Sequence, residues 1–140
     1  MKTEKINITD LIPQREPMVM LSNLLKFTDN SATTCLNITD DNIFCNNGVF
    51  QESGLIENIA QTAAAMNGYA ALMKKEKVKL GFIGAVKNLN IYKLPEVNST
   101  IKTTVSIQNK VMNVDIIKGV VMQEDSVIAE CEMKIFLDEN

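Results

Sequence analysis

The sequence predicts an α+β domain spanning residues 1–140, with an antiparallel sheet curved around one long helix. Three observations carry that prediction. One stretch, Ser53 to Lys75, has sustained helical periodicity. The other apolar stretches are short and strand-like, and they fall in the order strand, strand, helix, then four strands joined by short turns. A helix segregated from antiparallel strands in this way makes an α+β layer architecture.

Taken in order, Met1 to Pro17 holds Asp10-Leu11-Ile12-Pro13 and a second proline four residues on, which suits a short helical turn followed by an extended lead-in. Met18 to Phe27 is a nearly continuous apolar run ending at the turn cluster Thr28-Asp29-Asn30-Ser31, and Ala32 to Ile38 follows as its hairpin partner. Thr39 to Gly48 is polar around Ile43 and Phe44 and reads as an ordered loop leading to the helix. Beyond the helix, Leu80 to Lys93 is a long strand carrying Gly81 and Gly84, and glycine inside a strand marks a bulge or a close backbone approach. Thr100 to Gln108 alternates, with Ile101, Thr103, Val105 and Ile107 on one face. Val111 to Met122 and Ser126 to Leu137 close the chain as a hairpin around Gln123-Glu124-Asp125.

On a wheel of 100° per residue, Leu55, Ile59, Met66, Ala70 and Met73 fall on one arc of the helix, and Ala60, Ala64, Gly68 and Ala71 on the opposite side. Two apolar stripes predict burial on more than one face, the small one letting another backbone approach closely. Glu57 and Gln61 lie on the small side. A carboxylate is rarely buried without a partner or a task, so Glu57 is the first candidate functional residue. The alternative is a solvated helix edge, where the positive end of the helix dipole favours a carboxylate in any case.

Composition removes several function classes. A net charge of −3, a pI near 5.0 and the lack of a basic stripe interleaved with aromatics speak against nucleic acid. No apolar stretch reaches the roughly 20 residues of a membrane helix, and the polar start Met1-Lys2-Thr3-Glu4-Lys5 lacks a signal-peptide core, so the expected setting is the cytoplasm, away from membranes. Cys35, Cys45 and Cys131 are widely spaced and suggest neither a disulfide framework nor a thiolate metal site. The chain has no histidine. It therefore carries no Ser-His-Asp or Cys-His system and no ordinary His-ligated zinc of its own, and no Gly-rich phosphate loop is present; neither a cofactor nor a metal is expected.

Several motifs, in order, resemble those of the hotdog-fold 3-hydroxyacyl-ACP dehydratases. Leu11-Ile12-Pro13-Gln14-Arg15-Glu16-Pro17, followed by the apolar Met18 to Leu21, is similar to their leader of leucine, proline, histidine, arginine, proline and a strand. Glu57-Asn58-Ile59-Ala60-Gln61 resembles the glutamate-to-glutamine motif of their central helix, and Phe82-Ile83-Gly84 resembles their Phe-x-Gly strand. The resemblance spans nearly the whole chain. It implies a hotdog fold, a dimer whose sheets join side by side, and two active sites at the dimer interface. In each such site a histidine from one protomer removes a C2 proton, and the helix glutamate of the other assists departure of the 3-hydroxyl. Backbone amides near the helix start polarise the thioester carbonyl, and an acyl carrier protein delivers the substrate. Two groups of different pKa suit a reaction that needs both a base and an acid.

One departure stands out. The family histidine lies fourteen residues before the glutamate, and that position here is Ile43, which cannot take a proton. The chain is in this respect similar to the His-lacking dehydratase-like proteins of aryl polyene biosynthesis, which keep the helix motif seen here as Glu57 through Thr62 and accompany a His-bearing hotdog dehydratase. The resemblance then implies Glu57 and Gln61 as the catalytic pair, with Phe44, Asn46, Asn47, Gly54, Phe82 and Gly84 as substrate-binding positions. It implies as partners an acyl carrier protein or CoA thioester and a second hotdog chain, in a homodimer or a heterodimer with a His-bearing dehydratase. The residues also leave open a thioesterase working through one carboxylate, and a non-catalytic binder of acyl chains. Turn formation also accounts for Asn46 and Asn47, a bulge for Gly84, and core packing for the phenylalanines.

Overall fold

The computed structural model describes residues 6–138; Met1–Lys5, where the sequence gives its polar start, and Glu139–Asn140 lie outside the described residues. A 3-10 turn, Ile8–Asp10, is capped by Asn7, whose side-chain oxygen accepts the Thr9 N–H at 3.0 Å. The chain then runs to β1 (Asn23–Phe27) and β2 (Ser31–Asn37), makes a small hairpin of β3 (Cys45–Asn46) and β4 (Val49–Phe50), and enters the helix α1 (Glu52–Met73). It returns through β5 (Gly81–Ile91), β6 (Thr100–Val111), β7 (Val114–Gln123) and β8 (Ser126–Leu137). Six strands form one antiparallel sheet in the order β1-β2-β6-β7-β8-β5. One long helix against one antiparallel sheet is the hotdog arrangement that the sequence resemblance implies.

The sheet is irregular in a useful way. Register shifts interrupt β1 between Leu24 and Lys26, β6 between Ile107 and Asn109, and β5 twice. Such bulges bend a strand and increase its twist, which lets a flat ladder curl around a helix. The core lies between the two layers. Leu55 and Ile59 of α1 are fully buried in one cluster with Ile101 and Val105 of β6 and Ile117 and Val121 of β7, each such side chain contributing about 1.5–3 kcal/mol. The alternating face expected for residues 101–107 is the inner face, since Ile101, Thr103 and Val105 are buried. Helix and sheet meet closely at Gly119, where a Cβ would come within 2.4 Å of Ile59 Cγ2.

Three sequence expectations are corrected in detail. The apolar run from Met18 was expected to be strand throughout, but strand begins only at Asn23. Met18 and Met20 instead bond side chains of α1, described below, so their backbone groups are unavailable to a neighbouring strand. The loop expected over 39–48 contains β3, paired to β4 through Asn47 (φ 53°) and Gly48 (φ 78°). Two consecutive positive φ values are what a two-residue hairpin turn of the Asn-Gly kind requires. The bulky helix stripe stops short: Met73 is 55% exposed, whereas Leu55, Ile59 and Met66 are buried.

The small stripe divides in two. Gly68 is buried where the lead-in crosses the helix, and a Cβ there would lie 1.9 Å from the Leu11 carbonyl oxygen. Ala60, Ala64 and Ala71 are only partly buried, because this flank faces a groove.

Candidate active site

The groove runs between α1 and the sheet end formed by β5 and β8. Its helix wall is Glu57, Ala60, Ala64 and Asn67; its sheet wall includes Phe82, Ile83, Ile135 and Leu137, with Gln14 and Lys79 at the margins, around a volume of about 210 Å³. Spacings of three and four residues keep the helix wall on one flank, and the two alanines keep it shallow. Glu57 and Lys79 are the ionisable groups among the described residues that line it.

A polar ladder buried beneath the groove holds Glu57 in place. Gln61 Nε2 donates to Glu57 Oε2 at 2.7 Å and to the Met18 carbonyl at 2.8 Å, while Gln61 Oε1 accepts the Met20 N–H at 2.7 Å. Asn58, one position along, donates from Nδ2 to the Met20 carbonyl at 2.9 Å and accepts from the Thr103 hydroxyl of β6. Thr62 donates its hydroxyl to the Asn58 carbonyl and shares a 2.8 Å hydrogen bond with Thr34 of β2. Asn58, Gln61, Thr62, Thr34 and Thr103 all have no exposed surface. Every one is satisfied within the chain, as a buried polar group must be.

The helix start is built from aromatics. Phe44 and Phe50 meet edge to face, 6.4 Å between ring centroids, and Gly54 fits beneath them: a Cβ there would lie 2.6 Å from Phe50 and 2.7 Å from Phe44. The Gly54 N–H donates to the Gln51 carbonyl at 3.0 Å. Upstream, Asn42 closes a local turn by accepting the Phe44 N–H at 2.8 Å, and Ile43 stands half exposed, at 49%, on that turn.

Of the residues expected at the site, Glu57, Gln61 and Phe82 come together, Glu57 and Phe82 in the groove wall and Gln61 behind Glu57. Phe44 and Gly54 form the aromatic seat of the helix start. Asn46 and Asn47 are exposed at the β3–β4 turn, and Gly84 sits under the Phe136 ring, with room for a Cβ excluded at 2.0 Å; none of these three lines the groove. Asn58, Thr62 and Asn67 were not anticipated from sequence. For Asn58 and Thr62 the signal is the spacing of Asn58, Gln61 and Thr62 at i, i+3 and i+4, which puts three polar groups on one helix face.

Chemically the groove offers one carboxylate with a neutral amide donor fixed against it. Cys35, Cys45 and Cys131 add no nucleophile: burial raises the pKa of each thiol, that of Cys131 to about 11, so all three stay protonated near neutrality. Among the described residues no cluster of His, Cys, Asp and Glu could hold a metal ion, and no helix is long and apolar enough to cross a membrane.

A family model described as ApeP-like, ApeP dehydratase, matches residues 6–140. No curated protein matches the chain in sequence. Among solved structures, the chain is similar to one from the dehydratase heterocomplex ApeI:P of Xenorhabdus doucetiae, with 16% identity, a TM-score of 0.91, and coverage of 98% of this chain and 94% of that one. It also resembles Cj0977, a sigma28-regulated virulence protein of Campylobacter jejuni, at 12% identity and a TM-score of 0.73 over 96% of this chain and 98% of that one. A hypothetical thioesterase of Streptococcus pneumoniae TIGR4, crystallised with coenzyme A, matches at 9% identity and a TM-score of 0.66 over 82% and 84% of the two chains.

Proposed function

Because the chain belongs to the ApeP-like dehydratase family, we propose that it is the glutamate-bearing half of a two-chain dehydratase that removes water from a 3-hydroxyacyl thioester. The observation that carries this reading is Glu57, fixed by Gln61 in the wall of a half-open groove, in a chain with no histidine to serve as its base.

In this reading Glu57 acts as the general acid. A base on the partner chain takes the C2 proton, the C2–C3 double bond forms, and the C3–O bond breaks as the Glu57 carboxyl gives its proton to the departing hydroxyl, which leaves as water. Gln61 touches no substrate; its amide donates to one carboxyl oxygen and so points the other toward the groove. Gln61 is therefore a positioning residue, and Glu57 the catalytic one. Phe82 and the alanines of the helix wall pack along the acyl chain, and Phe44 with Gly54 sets the angle of the helix start.

The partner is a His-bearing hotdog chain. The outer edge of β5 is unpaired and carries Phe82 and Ile83 at 55% and 41% exposure, an apolar strand edge of the kind that natural proteins cover. The similarity to a chain from a dehydratase heterocomplex supports the same assembly. An acyl carrier protein in the cytoplasm is the proposed donor, and coenzyme A thioesters serve as its small-molecule surrogate.

The test mixes the purified chain with a His-bearing hotdog dehydratase and follows water elimination from a 3-hydroxyacyl-ACP. Placed general acids contribute about 10²–10⁴-fold, so Glu57→Gln is expected to lower kcat/KM by at least about 100-fold while leaving the complex assembled. Unchanged activity in Glu57→Gln would reject the role. Thiol release by the chain alone would instead point to a thioesterase, and tight acyl-ACP binding without turnover to a non-catalytic partner.

A further inference from the structure

The unpaired edge of β5 carries charge of one sign. Its pairing to β8 runs past the strand at both ends, since the Leu80 carbonyl accepts the Asp138 N–H at 2.7 Å and the Tyr92 N–H donates to the Ile128 carbonyl at 2.8 Å. Over residues 77–93 the charged side chains are Lys77, Lys79, Lys87 and Lys93, with no aspartate or glutamate among them. All four are exposed. The chain as a whole carries −3, so this edge differs in sign from the molecule around it. Two carboxylates of β8, one strand in, are held by uncharged groups of the edge: Glu130 accepts the Tyr92 hydroxyl at 2.7 Å, and Glu132 accepts from the Asn88 amide.

Lysine on an open strand edge works against pairing with another such edge. An edge built only to stay open has no use for apolar side chains, yet Leu80, Phe82, Ile83, Leu89 and Tyr92 are each 39–62% exposed along it. The two features together describe an edge that is covered, but not by its own kind. Two identical chains related by a two-fold axis meet through the same patch on each. Whatever the register of such a pair, the only charges that one β5 segment offers the other are lysines. Like charges across an interface cost affinity, whereas opposite charges steer a partner in and fix its register.

We propose that the lysines flanking β5 make this edge reject a second copy of the chain and select a hotdog partner whose own edge strand carries carboxylates. The inference rests on β5 being the contact with the histidine-bearing chain. It adds to that reading the charge by which the partner is told from a second copy. Phe82 and Ile83 form the apolar middle of the contact, with Lys77 and Lys79 before them and Lys87 and Lys93 beyond, the usual division into apolar centre and charged rim.

The experiment reverses charge at both flanks in the full-length chain, combining Lys77→Glu with Lys93→Glu. Lys87 stays, because it faces Glu132 across the ladder. Sedimentation is expected to show the wild-type chain and the double variant associating with each other at least about tenfold more tightly than either does with itself. The double variant is more negative overall by four charges, so a response to net charge alone would weaken the mixed pair. A mixed pair no tighter than the wild-type pair overturns the inference. Association of the double variant with the histidine-bearing dehydratase is expected to fall at least about tenfold, and unchanged association overturns the inference as well. Should the glutamate pair fail to fold, Lys77→Gln with Lys93→Gln takes its place, with tighter self-association and weaker association with the dehydratase expected. Elimination by the complex that depends on Glu57, without these charge effects, would remove this inference and leave the dehydratase reading intact; the charge effects without elimination would do the reverse.

Discussion

Gln61 shows how much one side chain can hold. It has no exposed surface, and its amide bonds the Met18 carbonyl, the Met20 N–H and the Glu57 carboxyl together. Replacing it with leucine strands the buried Met20 N–H and the part-buried Met18 carbonyl, an unpaired buried group costing about 1–3 kcal/mol. Gln61→Leu is thus expected to lower stability by about 3 kcal/mol in urea unfolding and to lower kcat of the complex more than it raises KM, because Glu57 loses its anchor. Stability loss with kcat intact would mean that Gln61 supports the fold alone. Glu57 and Gln61 were legible in the sequence as a pair four residues apart, and so was their side of the helix. The buried state of Gln61 was not, since its partners lie 41 and 43 residues away in sequence.

At the scale of the element, α1 works as a scaffold with three distinct flanks. One packs Leu55, Ile59 and Met66 into the core, one carries the buried polar ladder, and one forms the groove wall. Periodicity predicted a helix buried on two faces and its length to within two residues at either end. The small stripe reads from sequence as a single surface, yet it divides between a backbone crossing at Gly68 and an open groove at Ala60 and Ala64. That crossing is testable. Alanine is the better helix former by about 1 kcal/mol, so helix propensity alone predicts that Gly68→Ala stabilises. A Cβ placed 1.9 Å from the Leu11 carbonyl oxygen meets backbone, which cannot swing aside, and overpacking of this kind costs about 1–3 kcal/mol. The expected outcome is a net loss, read as a lower urea midpoint with the helical circular dichroism of the folded state retained.

The whole molecule is shaped around an open side. β5 ends the sheet with apolar residues outward, and the groove beside it is walled by Glu57, the proposed general acid. Phe82→Lys puts a charge on that exposed edge. Since Phe82 is already more than half exposed, thermal stability of the single chain should change by less than about 0.5 kcal/mol. Association with the histidine-bearing partner should weaken at least about tenfold by ultracentrifugation or calorimetry, in line with loss of a buried aromatic anchor worth more than 1 kcal/mol. Unchanged association would place the interface elsewhere.

The sequence by itself determined the α+β class, the succession of the six long strands before and after the axial helix, and the likeness to hotdog dehydratases. Hydrophobic period and turn chemistry are local properties that a chain carries wherever it folds. It also determined that the chain brings no histidine, since composition does not depend on folding. Only the tertiary structure decided that Met18 to Met20 bonds to helix side chains rather than to a strand, and that Asn46 and Asn47 stay out of the groove. It alone set Asn67 against Asp115. These are contacts between residues up to 48 positions apart, fixed by which surfaces meet when the sheet curls, and no local pattern encodes them.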